Sequence, residues 1–213
     1  MSIQSSGFIF RQLFEKTSST YTYLLACPET GACALVDPVL ETAHRDLQLV
    51  HELGFKLACT IETHIHADHI TGAFKLRTLS ECRIAGAAMD DLPCRDIQLR
   101  EGEPFAVGHI RLNPLFTPGH TDTHHAYLID GPTHKIILSG DCLLIDGCGR
   151  TDFQSGDSGI LYDSVHQKLY TLPDETLVYP GHDYDQRSLT TIGQEKNVTC
   201  VLIHNATATV SLP

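Results

Sequence analysis

The sequence predicts an α/β (α+β) fold of stacked sheets covered by helices, and three observations carry that expectation. Four apolar, strand-like runs each end in small residues followed at once by a histidine or aspartate: 57–61 before His64 and His66, 110–116 before His120, 135–138 before Asp141, and 176–179 before His182. Between the runs lie segments of helical periodicity, with Leu47, Val50 and Leu53 on one face and Leu161, Val165, Leu169 and Leu172 on another. No internal repeat or linker divides the 213 residues, so one domain is expected over 1–213.

Taken in order, 21–27 reads as a strand, Pro28-Glu29-Thr30-Gly31 as a turn, and 32–36 as the returning strand, stopped at Asp37-Pro38. A helix is expected over 41–53, with Gly54 as its C-terminal stop. The strand 57–61 then delivers the most unusual stretch, and a helix over 70–79 follows it. Residues 81–100 read as a short strand, then loop and turn. Strands follow at 105–107 and 110–116, then a hairpin of 125–129 and 135–138 around Gly131-Pro132. A helix over 161–172 and a strand over 176–179 complete the regular elements.

Composition narrows the function classes. Hydrophobic residues make up 42% and charged ones 19% of the chain, as in ordinary globular proteins. A formal net charge of −11 argues against a nucleic-acid-binding surface. Eight cysteines lie mostly inside apolar runs, form no CxxC pair and follow no secretory signal, so reduced thiols are expected. No run approaches the length of a membrane span, and a cytoplasmic location is the expectation.

The chemistry concentrates in Thr63-His64-Ile65-His66-Ala67-Asp68-His69. Imidazole nitrogen and carboxylate oxygen together suit divalent zinc or iron. Solvated histidines have no reason to cluster so tightly, and an apolar core could not satisfy that many polar groups without an ion. His120 in Pro118-Gly119-His120-Thr121, Asp141 in Ser139-Gly140-Asp141 and His182 in Pro180-Gly181-His182-Asp183 share a setting after strand and glycine. Loops held by a rigid sheet are where functional side chains commonly sit.

HxHxDH, PGHT, SGD and PGHD in this order resemble the metallo-β-lactamase superfamily, over residues from about Ile9 to Lys196. The resemblance implies a four-layered αβ/βα sandwich with a metal site at one edge between the sheets. Within it, residues 63–72, 36–42 and 147–154, with Ser164-Val165-His166 and His182-Asp183-Tyr184, resemble the persulfide (sulfur) dioxygenases. That resemblance implies one Fe(2+) per chain held by His64, His120 and Asp141, with positions left open for O2 and substrate. His66, Asp68, His69 and His182 would orient those ligands or form a second metal site. Arg150 would meet a glutathione carboxylate, with Tyr184 lining the same pocket. The implied reaction oxidises glutathione persulfide with O2 and water to sulfite and glutathione.

Other readings stay open at this point. A thioester hydrolase of the glyoxalase II type would hold two zinc ions and use His66, Asp68, His69 and His182 as ligands. A non-catalytic metal-binding or persulfide-sensing protein is the third. Cys142 is expected in apolar packing, and Cys148 either there or facing the pocket. Two departures from the subgroup pattern stand out. Thr123-His124-His125 replaces a glycine and a small or cysteine residue, and its role is open. The tail 197–213 carries no Asp, Glu, Lys or Arg and is rich in β-branched residues, which makes it an atypical or truncated end and a candidate edge strand. Related proteins are often dimers, so a homodimer is a candidate assembly.

Overall fold

A computed structural model describes residues 7–90, 92–131 and 133–198. The first sheet is built from β1 (Ile9–Glu15), β2 (Thr20–Cys27), β3 (Ala32–Val36), β4 (Lys56–Ile61), β5 (Arg83–Ala87) and β6 (Ile97–Leu99), in that spatial order. The second follows the order β12-β11-β10-β9-β8-β7, from β7 (Phe105–Val107), β8 (Ile110–Phe116), β9 (His125–Asp130), β10 (Lys135–Gly140), β11 (Leu177–Pro180) and β12 (Thr190–Thr191). β3, β4, β5 and β6 are mutually parallel, as are β10 and β11, while the remaining neighbours pair antiparallel.

Apolar side chains sort into three layers. Tyr23, Leu25, Val36 and Ile61 of one sheet meet Leu112, Tyr127, Ile129 and Leu138 of the other in the central core. The outer face of the first sheet, with Leu24 and Leu35, is covered by Leu47 and Val50 of α1 (Ala43–Glu52) and Leu76 of α2 (Ala73–Ser80). The outer face of the second, with Ala126, Ile137 and Val178, is covered by Leu161 of α3 (Ser158–Ser164) and by Val165 and Leu169 of the π-helical turn that continues it. Helix, sheet, sheet, helix is the four-layered sandwich that the family resemblance implies. Every residue of β2 is buried, because side chains on both of its faces are covered.

Several boundaries differ from expectation for local reasons. The strand β1 was not anticipated; Arg11, Gln12 and Glu15 dilute its apolar pattern at the sheet edge. The helix expected from Ile70 begins at Ala73. Before it, Thr71 forms a bridge with Val39, the Gly72 N–H donates to the Pro38 carbonyl (2.6 Å), and the Thr71 hydroxyl accepts from the Ala73 N–H (3.1 Å). These bonds hold 70–72 out of the helix. The helix expected over 161–172 starts at Ser158, where the Asp157 carboxylate accepts the Ile160 N–H (2.9 Å) as an N-cap. A last short helix covers 192–198. The strand expected in the tail lies, beyond Val198, outside the described residues. No described helix is long and apolar enough to cross a membrane.

Candidate metal centre

The carboxyl ends of β3, β4, β8, β10 and β11 converge on one edge of the sandwich, and every metal candidate read from the sequence lies on the loops that leave them. His64, His120 and Asp141 each place a donor atom within 4.8 Å of the others. They are 2%, 9% and 8% exposed, respectively. His66, Asp68 and His69 form a second such group beside it, and Asp37, Glu62 and His66 a third. His182 lies between the first two, with Nε2 at 3.5 Å from both Asp68 Oδ2 and Asp141 Oδ2.

Hydrogen bonds fix which nitrogen of each imidazole is free. A carbonyl only accepts, so the 2.7 Å contact of His120 Nδ1 with the Arg150 carbonyl puts the proton on Nδ1. The Thr63 hydroxyl donates to Asp37 Oδ2 (2.9 Å), and therefore accepts from His64 Nδ1 (2.9 Å). Both rings are left with an Nε2 lone pair. Burial, then the neighbouring imidazoles, holds the His64 pKa well below its ordinary value, so the ring is neutral, as a ligand must be.

Among the buried atoms at this edge without a hydrogen-bond partner are Asp141 Oδ1, His66 Nδ1 and His69 Nε2. Orphaned donors and acceptors of this kind are rare in folded proteins. Asp141 belongs to the first donor group and His66 and His69 to the second, so an ion in each group would satisfy them. The donor set of imidazoles and carboxylates therefore fits a divalent transition metal.

Asp37 organises much of the frame. It has φ of +50°, a left-handed conformation that aspartate tolerates better than most residues. Its carboxylate accepts the Thr63 N–H (2.7 Å) and hydroxyl and lies 3.2 Å from His66 Nε2. Burial disfavours a charged His66, but bonds and charges from Asp37 and Glu62 outweigh it and raise its pKa well above the usual value. The Glu62 carbonyl in turn accepts the buried Tyr127 hydroxyl (2.6 Å). Glycine makes room on the other side: a Cβ on Gly181 would sit 2.5 Å from Asp141 Oδ1.

The centre opens into a cavity of about 550 Å³ walled by His120, Asp141, Cys148, Arg150, Phe153 and Tyr184, among others. Arg150 and Tyr184, picked out from the sequence, both stand on its rim. The Arg150 guanidinium makes a two-pronged contact with Asp152 (2.7 and 2.9 Å) and lies 5.9 Å from the Phe153 ring centre. Tyr184 is 77% exposed and nearly parallel to the His182 ring. Cys148 faces the cavity, whereas Cys142 is fully buried, and the described cysteines are all free thiols.

Sequence reasoning assigned no role to Asp37, Glu62 or Thr63, although Thr63 opens the histidine-rich motif and Asp37 lies within 36–42. Their signal is weak, because a polar residue at a strand end gains a role only from the partner that tertiary structure brings to it. His125 turns away from the pocket, its main-chain N–H donating to the Thr63 carbonyl (2.8 Å) and its Nδ1 to the Thr123 carbonyl (2.8 Å).

The profile of the metallo-beta-lactamase superfamily matches residues 16–182. The mitochondrial persulfide dioxygenase ETHE1 of Mus musculus is 42% identical over 203 residues, covering 92% of this chain and 77% of that protein. Hydroxyacylglutathione hydrolase of Rhodospirillum rubrum is 38% identical over 175 residues, or 81% and 66% of the two chains. Among solved structures, ETHE1 from Myxococcus xanthus superposes with a TM-score of 0.85 at 48% identity, covering 89% of this chain and 82% of that one. With this fold, this order of ligand-bearing loops and these relatives, the chain belongs to the metallo-β-lactamase superfamily, in its persulfide dioxygenase branch.

Proposed function

We propose that this chain is an iron-dependent persulfide dioxygenase acting on glutathione persulfide or a similar low-molecular-weight persulfide. The observation that carries the reading is the group of two imidazoles and one carboxylate, His64, His120 and Asp141, the last two lining an open cavity. A ferrous ion held by those three side chains would supply open coordination positions and the electron transfer that O2 chemistry needs.

The overall reaction balances as persulfide, O2 and water giving thiol and sulfite with its protons. The outer sulfur loses four electrons to O2, and water supplies the third oxygen of sulfite. In this reading, Arg150 exchanges its contact with Asp152 for a carboxylate of the bound thiol, which a planar guanidinium meets with two parallel bonds. Tyr184 and Phe153 cover the substrate and reduce access of bulk water. A cavity of about 550 Å³ lies within the range that holds ligands of this size.

The second reading, a two-metal thioester hydrolase, draws on the neighbouring group His66, Asp68 and His69, with its unpartnered His66 Nδ1 and His69 Nε2, and on the hydrolase relatives. Metal analysis and an oxygen electrode separate the two. One iron per chain, O2 uptake on adding glutathione persulfide and appearance of sulfite are expected. Two zinc ions per chain, no O2 uptake and cleavage of an acylglutathione would establish the hydrolase instead. An iron-loaded chain inert in both assays would leave metal or persulfide sensing.

A further inference from the structure

We propose that His124 is the positioning residue that fixes Asp141 and His64 in ligand geometry. The inference rests on the metal-site reading above and goes beyond it by giving a role to a side chain that is neither ligand nor pocket wall. His124 is 0% exposed and lies behind the metal edge, between the ligand-bearing loops.

One imidazole reaches all three ligand positions. Its Nε2 accepts the main-chain N–H of Asp141 (3.1 Å), so its proton is on Nδ1, which donates to the Thr117 hydroxyl (2.9 Å). Its ring is stacked on that of His64, with centres 5.0 Å apart and planes at 26°. It meets the His120 ring edge-on, at 6.3 Å and 84°. The fit requires glycine at 140: with φ of +51°, a Cβ there would lie 2.6 Å from His124 Nε2 and 2.8 Å from Thr63 Oγ1. The side chain missing from the end of β10 is the space the imidazole fills.

The same bonds exclude other roles. The Nε2 lone pair is engaged by a main-chain N–H and Nδ1 carries a proton, so no lone pair is left for an ion. Sealed from the cavity, the ring cannot exchange protons with substrate. What it controls is where the Asp141 main chain sits and how the His64 plane is turned, and groups behind metal ligands commonly govern affinity in this way.

The test uses Co2+ on the chelator-stripped full chain, read by competition with a chromophoric chelator, by the visible absorption of the bound ion, and by thermal melting without metal. His124→Phe keeps the stacked ring and removes both hydrogen bonds; we expect it to lose roughly 10–100-fold in Co2+ affinity and to shift the absorption band. His124→Gln, which can offer an oxygen to the Asp141 N–H, is expected to recover most of the affinity. Wild-type affinity and spectrum in His124→Phe would overturn the proposal, and so would equal losses in the Phe and Gln variants, which packing alone explains. Should His124→Phe fail to fold, Thr117→Val decides: weakened binding and an altered band support the proposal, and no change in either overturns it. His120→Ala is the control for the site itself, since undiminished Co2+ affinity there would remove the metal reading and this inference together.

Discussion

Asp37 shows how much of the candidate metal site resides outside the three side chains read as its ligands. Its carboxylate takes the Thr63 N–H and hydroxyl and meets His66, and the Thr63 hydroxyl passes that constraint to His64 Nδ1. A carboxylate anchoring a ligand imidazole through a hydroxyl fixes its orientation and raises its basicity. Asp37→Asn keeps the shape but places an amide donor where two or three acceptor bonds were. The expected outcome is a loss of roughly 10–100-fold in metal affinity, together with destabilisation of about 1–3 kcal/mol, measured by metal titration and urea melting. Unchanged values in both would show that the carboxylate is a bystander. At this scale the candidate ligands were legible in the sequence because histidine and aspartate declare their chemistry by type. Asp37 and His124 were not, because their roles arise from contacts made 26 and 17 positions away, with Thr63 and Asp141.

Elements carry a different share of the argument. The turn between β1 and β2 is held by Glu15, whose carboxylate accepts the N–H groups of Thr17 (2.8 Å) and Ser18 (2.7 Å) and the Ser18 hydroxyl (2.7 Å). Burial works to raise the Glu15 pKa, but these bonds outweigh it and bring it from 4.5 down to about 2. A carboxyl that binds its proton less readily folded than unfolded stabilises the fold above the unfolded value and loses that contribution as pH falls through the folded one. Glu15→Gln is therefore expected to cost roughly 1–3 kcal/mol at pH 7. The gap between the two proteins should narrow between about pH 4.5 and 2. Denaturant melts across that range check it, and a gap independent of pH would count against the carboxylate. The longer strands were visible from sequence because both faces of β2 and most of β3 and β4 are buried, leaving apolar runs. The three-residue β6 and two-residue β12 are too short to show a period, and pairing with a neighbour is what makes them strands.

At the scale of the whole molecule, the metal edge is the seam between the two sheets. His64 comes from the first sheet, and His120, Asp141 and His182 come from the second, so an ion there would tie the halves together. The seam is also closed without it: the Tyr21 N–H donates to the Gly181 carbonyl (2.8 Å), the His125 N–H to the Thr63 carbonyl (2.8 Å), and the Tyr127 hydroxyl to the Glu62 carbonyl (2.6 Å). With these bonds and a continuous central core, the stripped chain should remain folded, unlike small domains whose fold depends on their metal. Binding then adds stability by mass action, about 2.7 kcal/mol when free metal is 100 times its dissociation constant. For a chain of this length that corresponds to a rise of roughly 5–10 °C in melting temperature. His64→Ala should remove the rise while leaving the metal-free melting temperature within a few degrees of wild type. Hydrogen exchange in the wild type should slow on metal addition in the loops after β4, β8 and β10 and change little in the central strands. A stripped chain without native circular dichroism would show that the seam bonds are insufficient alone, and a rise that survives in His64→Ala would place the bound ion elsewhere.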